Sequence, residues 1–258
     1  VLDEGLASTD PKQQAICVEA LGHMLSSGHY SRGGGAEQIG SGDALEDWRP
    51  KIYGEIWDFY RSAIARLVPI AISNDELAVV AKKHLSSNIR SLLAHLPVSE
   101  IRDMILTVQA HGGFWPDALM GISHFLFYDC DKGKRSKIAK EVRQLYDDVL
   151  PSDPVDLAAL YTDGWQLDLH DPDSRYDPNP KSLDNFDYAE KRAVAIADDI
   201  VKTEKLITGA LNRIACGSGN GTFPFAKALM KAAKDPEALF SEAINVAERS
   251  DELPNRGF

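Results

Sequence analysis

The sequence predicts an all-α protein, and three observations carry that expectation. Apolar residues recur at three- and four-residue intervals through most of the chain. Asp-Pro pairs stand in front of several of these periodic stretches, where Asp caps a helix and Pro, whose missing N–H costs nothing there, fills its first position. No two alternating segments stand as partners in a sheet, so the strands that a parallel α/β architecture needs are absent from the pattern.

Taken in order, "DPKQQAICVEALGHML" predicts a helix capped by Asp10, with Ile16, Ala20, Leu21, Met24 and Leu25 as its apolar stripe. Pro50 is expected to open the next helix, with Ile52, Ile56, Phe59, Tyr60, Ala63, Ile64 and Leu67 on one face. Asn74 or Asp75 caps a third, carrying Leu77, Val80, Ala81, His84, Leu85, Leu92, Leu93 and Leu96, with a bend expected near Ser86–Asn88 and an end at Pro97. Ser99 and Glu100 start another that closes at Gly112, and "WPDALMGISHFLFYD" reads as a mostly buried helix. Ile138, Ala139, Val142, Leu145 and Val149 mark the next, and Asp153 begins a short one reaching about Thr162. After a break rich in Asp, Pro and Asn, which holds a short extended piece at "WQLDLH", helices resume at about Asp187, and three follow. Asp235 caps the last and Pro236 starts it. The total is about ten helices. Residues 1–163 read as an N-terminal helical array, 164–186 as a connecting segment and 187–258 as C-terminal helical hairpins, together one continuous domain.

Composition narrows the function classes. At 258 residues the chain can bury a substantial core. A net charge of −11 opposes general attraction to nucleic acid or to an anionic membrane. No apolar run approaches the roughly 20 residues that span a bilayer. Cys17, Cys130 and Cys216 are far apart and odd in number, which points to buried thiols in a reducing compartment and so to the cytoplasm. The start "VLDEGLASTD" has no Met and no signal-peptide pattern; it reads as the tail of a helix and predicts a piece of a longer chain.

The helix "ASTDPKQQAICVEALGHML", with its S-x-D-P start, resembles the first helix of HEAT-type repeats, and "AAKDPEALFSEAINVA" matches it loosely. That helix, the "GHYSRGGGAEQ" loop, the aromatic helix after Trp48 and "FPFAKALMKAAKDP" together look like helical regions of large bacterial multidomain P-loop NTPases of the STAND type. The resemblance implies an irregular HEAT-like α-solenoid serving as a scaffold, with the nucleotide-binding domain elsewhere. It covers roughly the first 65 and last 60 residues, and no period of roughly 40 residues crosses the middle.

Each candidate chemistry meets a plainer reading. The loop "SSGHYSRGGGAEQIGSGDALEDW" has Gly35 and Gly40 at P-loop spacing, but Ser41 stands where the Lys belongs. Gly33 and Gly35 begin a dinucleotide fingerprint that Gln38 breaks, and a helix rather than a strand precedes it. A glycine-rich link remains, in which His29, Arg32 and Glu37 are the residues placed to contact an anion or a partner. "CGSGNGTF" likewise lacks a Lys and reads as a helix end and turn. His84 lies on an apolar stripe and His95 off it; with His111 and His124 they form no two-ligand helical spacing, so neither a metal nor a cofactor is expected. His170 with Asp168, Asp171, Asp173 and Asp177 fails the EF-hand order and reads as Asx-turns in a solvated loop. Lys132, Lys134, Arg135 and Lys137 head the one basic run, 132–143, beside a helix N-terminus that disfavours cations. Trp48 and Trp57, with Tyr53 and Tyr60, suit either core or an interface.

No motif fixes a reaction. The sequence therefore leads to a non-enzymatic scaffold or recognition module that contacts other domains of its parent chain or another protein. The alternatives are a ligand- or metal-binding enzyme domain using the 28–42 loop and a nucleic-acid-binding repeat using the basic run.

Overall fold

The computed structural model describes residues 1–26, 50–130, 136–163, 169–175, 184–217 and 221–249. Among them are twelve α-helices and no strand, so the protein is all-α. The helices cluster into two compact units, residues 1–97 and 98–258. The expected boundaries at 163 and 186 both fall inside the second.

In the first unit, α1 (Leu2–Leu6) packs on α2 (Pro11–Met24), and α2, α3 (Tyr53–Ala71) and α4 (Leu77–His95) pack on one another. Asp10 caps α2 as expected, accepting from the Lys12 N–H at 3.0 Å. The buried stripe of α2 is rotated one position from the expected one. Ile16 is 68% exposed, while Cys17, Val18, Leu21 and Leu25 are buried. The reason is tertiary. A Cβ on Gly5 of α1 would collide with the Cys17 sulfur, and one on Gly22 would collide with the His84 ring of α4. The covered side is thus the one facing α1 and α4 (periodicity alone could not tell it from its neighbour).

Helix α3 begins at Tyr53 rather than at Pro50, with Ile52 extended before it and the Lys51 N–H donating to the Glu55 carboxylate at 2.7 Å. Tyr60, Ala63, Leu67 and Ala71 face inward. Helix α4 follows Asp75, whose carboxylate accepts from the Leu77 N–H at 2.8 Å, and is helical throughout Ser86–Asn88. Arg66 closes the unit's edge: its guanidinium grips both oxygens of Asp3, at 2.6 and 2.9 Å, and also reaches the Ser62 hydroxyl.

The second unit begins with α5 (Val98–Gly112), closed by Gly113 at φ +74°, a left-handed conformation that glycine adopts freely. Then come α6 (Pro116–His124), a π-helical turn at Phe125–Asp129, α7 (Ser136–Val149) and α8 (Pro154–Thr162). Next are α9 (Asp184–Lys202), a 3-10 turn at Glu204–Leu206, α10 (Ile207–Cys216), α11 (Thr222–Ala232) and α12 (Pro236–Arg249). Helix α7 packs on α5 and α6. Helix α8 is the centre of the rest: residues 158–162 are all buried, and α9, α10 and α11 pack around it. Asp153 caps α8 through the Val155 N–H at 2.7 Å, and Asp235 caps α12 through the Ala238 N–H at 3.0 Å. All three Asp-Pro starts read from the sequence are therefore helix starts.

Candidate functional site

The residues singled out in the sequence are unevenly placed. His29, Arg32, Glu37 and Trp48 lie outside the described residues, as do Lys132, Lys134 and Arg135. Trp57 stands on the second turn of α3, 37% exposed, one turn from Tyr53, which is 73% exposed. Ile52, just before them, is 65% exposed. Lys137 is exposed on the first turn of α7.

The densest chemistry lies where segment 169–175 meets the π-helical turn. His170 is not in a solvated loop, as its acidic neighbours suggested; it is buried, 4% exposed. Its imidazole lies flat on the Phe127 ring, with centroids 4.0 Å apart and planes 3° from parallel. Tyr128 meets it edge-on at 5.2 Å and His124 is tilted at 5.4 Å. The wider turn of a π-helix shifts successive side chains off the α-helical register, and such turns concentrate at functional sites. Here the last residue of α6, His124, and Phe127 and Tyr128 of the turn gather round a single imidazole. Ser123, fully buried, locks the backbone behind it: its hydroxyl donates to the His170 carbonyl at 3.0 Å and accepts from the His170 N–H at 3.1 Å.

Beyond His170 the acidic residues do what Asp beside Pro does in a turn. The Asp171 carboxylate accepts from the Asp173 N–H at 2.9 Å, and its carbonyl accepts from the Ser174 N–H at 3.0 Å. Asp173 also receives the Arg143 guanidinium at 3.1 Å, which bonds Asp147 as well and sits 5.5 Å over the Tyr146 ring. These two carboxylates hold Arg143 firmly in its charged form. Asp168 and Asp177 lie outside the described residues, and among those described no three His, Cys, Asp or Glu side chains gather to hold a metal ion.

A set of tyrosines that sequence reasoning did not single out adjoins this segment. Tyr146 of α7 hydrogen-bonds Tyr188 of α9, and Tyr161 of α8 donates to the Ala189 carbonyl at 3.2 Å while stacking on Phe225. Burial, above all, pushes the phenols of Tyr146, Tyr161 and Tyr188 up from their ordinary value, against the pull of the nearby Arg192 charge. The helical spacing of Tyr146 beside Leu145 and Val149 was the available signal for one of them. Tyr161 and Tyr188 come together only through packing.

Three further histidines among the described residues have local partners. The His84 Nε2 pairs with the Glu19 carboxylate at 3.0 Å, His95 packs its ring on Tyr60, and His111 Nδ1 is 2.9 Å from the Thr107 carbonyl. A cleft of about 580 Å³ opens between the ends of α9 and α11 and the starts of α10 and α12. Val201, Ile207 and Leu239 form its apolar side, and Lys202, Lys234 and Glu242 its charged side. Chemically, the His170 cluster is a clamp that seats segment 169–175, whereas the exposed aromatics of α3 offer a surface. No family model matches the chain, and no curated protein or solved structure matches it either.

Proposed function

We propose that the chain is a non-enzymatic recognition module, a HEAT-like helical array within a larger cytoplasmic bacterial protein. It holds another domain or protein through the first two turns of α3. The observation that carries this reading is the solvent exposure of Ile52, Tyr53 and Trp57 side by side. Tyr and Trp present large, stiff contact areas at little conformational cost and dominate the binding energy of protein interfaces. Leaving Ile52, Tyr53 and Trp57 in water forfeits burial that α3 achieves at Tyr60 and Leu67. The all-helical fold suits a scaffold, because it lends rigid helix faces.

A photo-cross-linking residue placed at Tyr53 in cells that make the parent protein tests the reading. A discrete adduct, missing when the same residue is placed at the exposed, polar Glu190 of α9, is the expected outcome. Equal labelling from both positions would remove α3 as the contact.

A further inference from the structure

We propose that the outer face of α12 binds a basic amphipathic helix of another protein. Leu239 and Val246, 6% and 5% exposed, turn α12 towards its own unit, where it packs on α10 and α11. At 100° per residue, Phe240 and Ile244 fall one turn apart on a different side. They are 58% and 44% exposed. Glu237 lies three residues before Phe240 and Glu248 four residues after Ile244, which sets both exposed carboxylates on that same side. The outer face is thus an apolar pair bracketed by acids over roughly 16 Å.

The bracketing acids select the occupant. A second copy is disfavoured in both orientations: antiparallel pairing of two α12 helices sets Glu237 against Glu248, and parallel pairing sets each against its twin. The same carboxylates, on a chain of net charge −11, repel nucleic acid and anionic lipid. A helix with two apolar side chains one turn apart and Lys or Arg a turn beyond each would cover the pair and meet both acids. This surface is distinct from the α3 patch, so the cross-link at Tyr53 and the assay below fail independently.

The probe is a fluorescent synthetic peptide with that pattern, and its counterpart with Glu in place of each Lys, titrated into the whole chain. The Lys peptide is expected to bind about tenfold or more tightly than the Glu peptide at low salt and to weaken as salt rises. The double variant Phe240→Ser, Ile244→Ser should lose that binding. The double variant Glu237→Lys, Glu248→Lys, which leaves the apolar pair intact, should reverse the preference. Equal binding of the two peptides, no saturable binding of either, or an unchanged preference in the charge-swapped variant would overturn the proposal. So would self-association of the chain in sedimentation that the Ser variant abolishes, since that would assign the face to a second copy.

Discussion

Two positions in the second unit depend on a residue having no side chain, or a very small one. Gly217, after α10, and Gly221, before α11, both lie against the end of α8. A Cβ on Gly217 would stand 2.8 Å from the Thr162 Cβ, and one on Gly221 would run into the Tyr161 backbone. Gly217 and Gly221 of "CGSGNGTF" are therefore required by close approach, which their spacing in the sequence could not reveal. Gly221→Ala is expected to cost about 1–3 kcal/mol, the usual price of overpacking, since the obstacle is backbone and cannot swing aside. Urea unfolding of the variant checks this, with a midpoint unchanged from the wild-type chain counting against it. Ser123→Ala removes both hydrogen bonds to the His170 backbone and leaves a buried N–H and carbonyl without that partner, at about 2 kcal/mol. Hydrogen exchange should rise first and most at residues 169–175, because that segment is what the hydroxyl holds; uniform acceleration across the unit would contradict this.

Helices α7, α8 and α9 meet through Tyr146, Tyr161 and Tyr188, and this contact is sensitive to alkali. Below the ordinary tyrosine value of 10.0 all three phenols are neutral whether the chain is folded or not. Above it the unfolded chain sheds these protons while the folded one keeps them, so stability falls as pH climbs past 10. Tyr146→Phe removes one such group and should make that fall shallower. Denaturant midpoints taken from pH 8 to pH 11, followed by tyrosinate absorbance, would show it; parallel curves for the two proteins would refute it. Of this contact the sequence showed helix positions and little else. Helix starts were legible because an Asp cap and an N-terminal Pro act within a few residues of chain. The buried side of α2 was not, since Ile16 and Cys17 fit the same period and only α1 and α4 decide between them. His170 was misread for a similar reason: its neighbours Asp171 and Asp173 do form the turn they suggest, while the imidazole answers to Phe127 more than forty residues earlier.

At the scale of the molecule, each of the two units has a buried core of its own: Val18, Leu21, Leu67, Leu85 and Leu92 among others in residues 1–97, and Ile105, Phe125, Tyr161 and Phe225 among others in residues 98–258. A fragment of residues 98–258 is accordingly expected to fold alone, with cooperative urea unfolding and the same loss of stability above pH 10. A fragment with no unfolding transition would show that the second core needs the first. The division at Pro97 has no Gly- or Ser-rich linker to announce it, whereas the Asp/Pro-rich stretch read as a connecting segment brings His170 and Asp173 into packing contacts.

The burial of α8 also bears on how the chain is made. The last of its three covering helices, α11, lies roughly 60 residues further along, so at 5–20 residues per second α8 waits on the order of 3–12 s for its cover to be complete. During that interval Leu160, Tyr161 and their neighbours are available to whatever meets a nascent chain first. A ribosome-bound chain stopped before Thr222 lacks the Phe225 ring that Tyr161 stacks on.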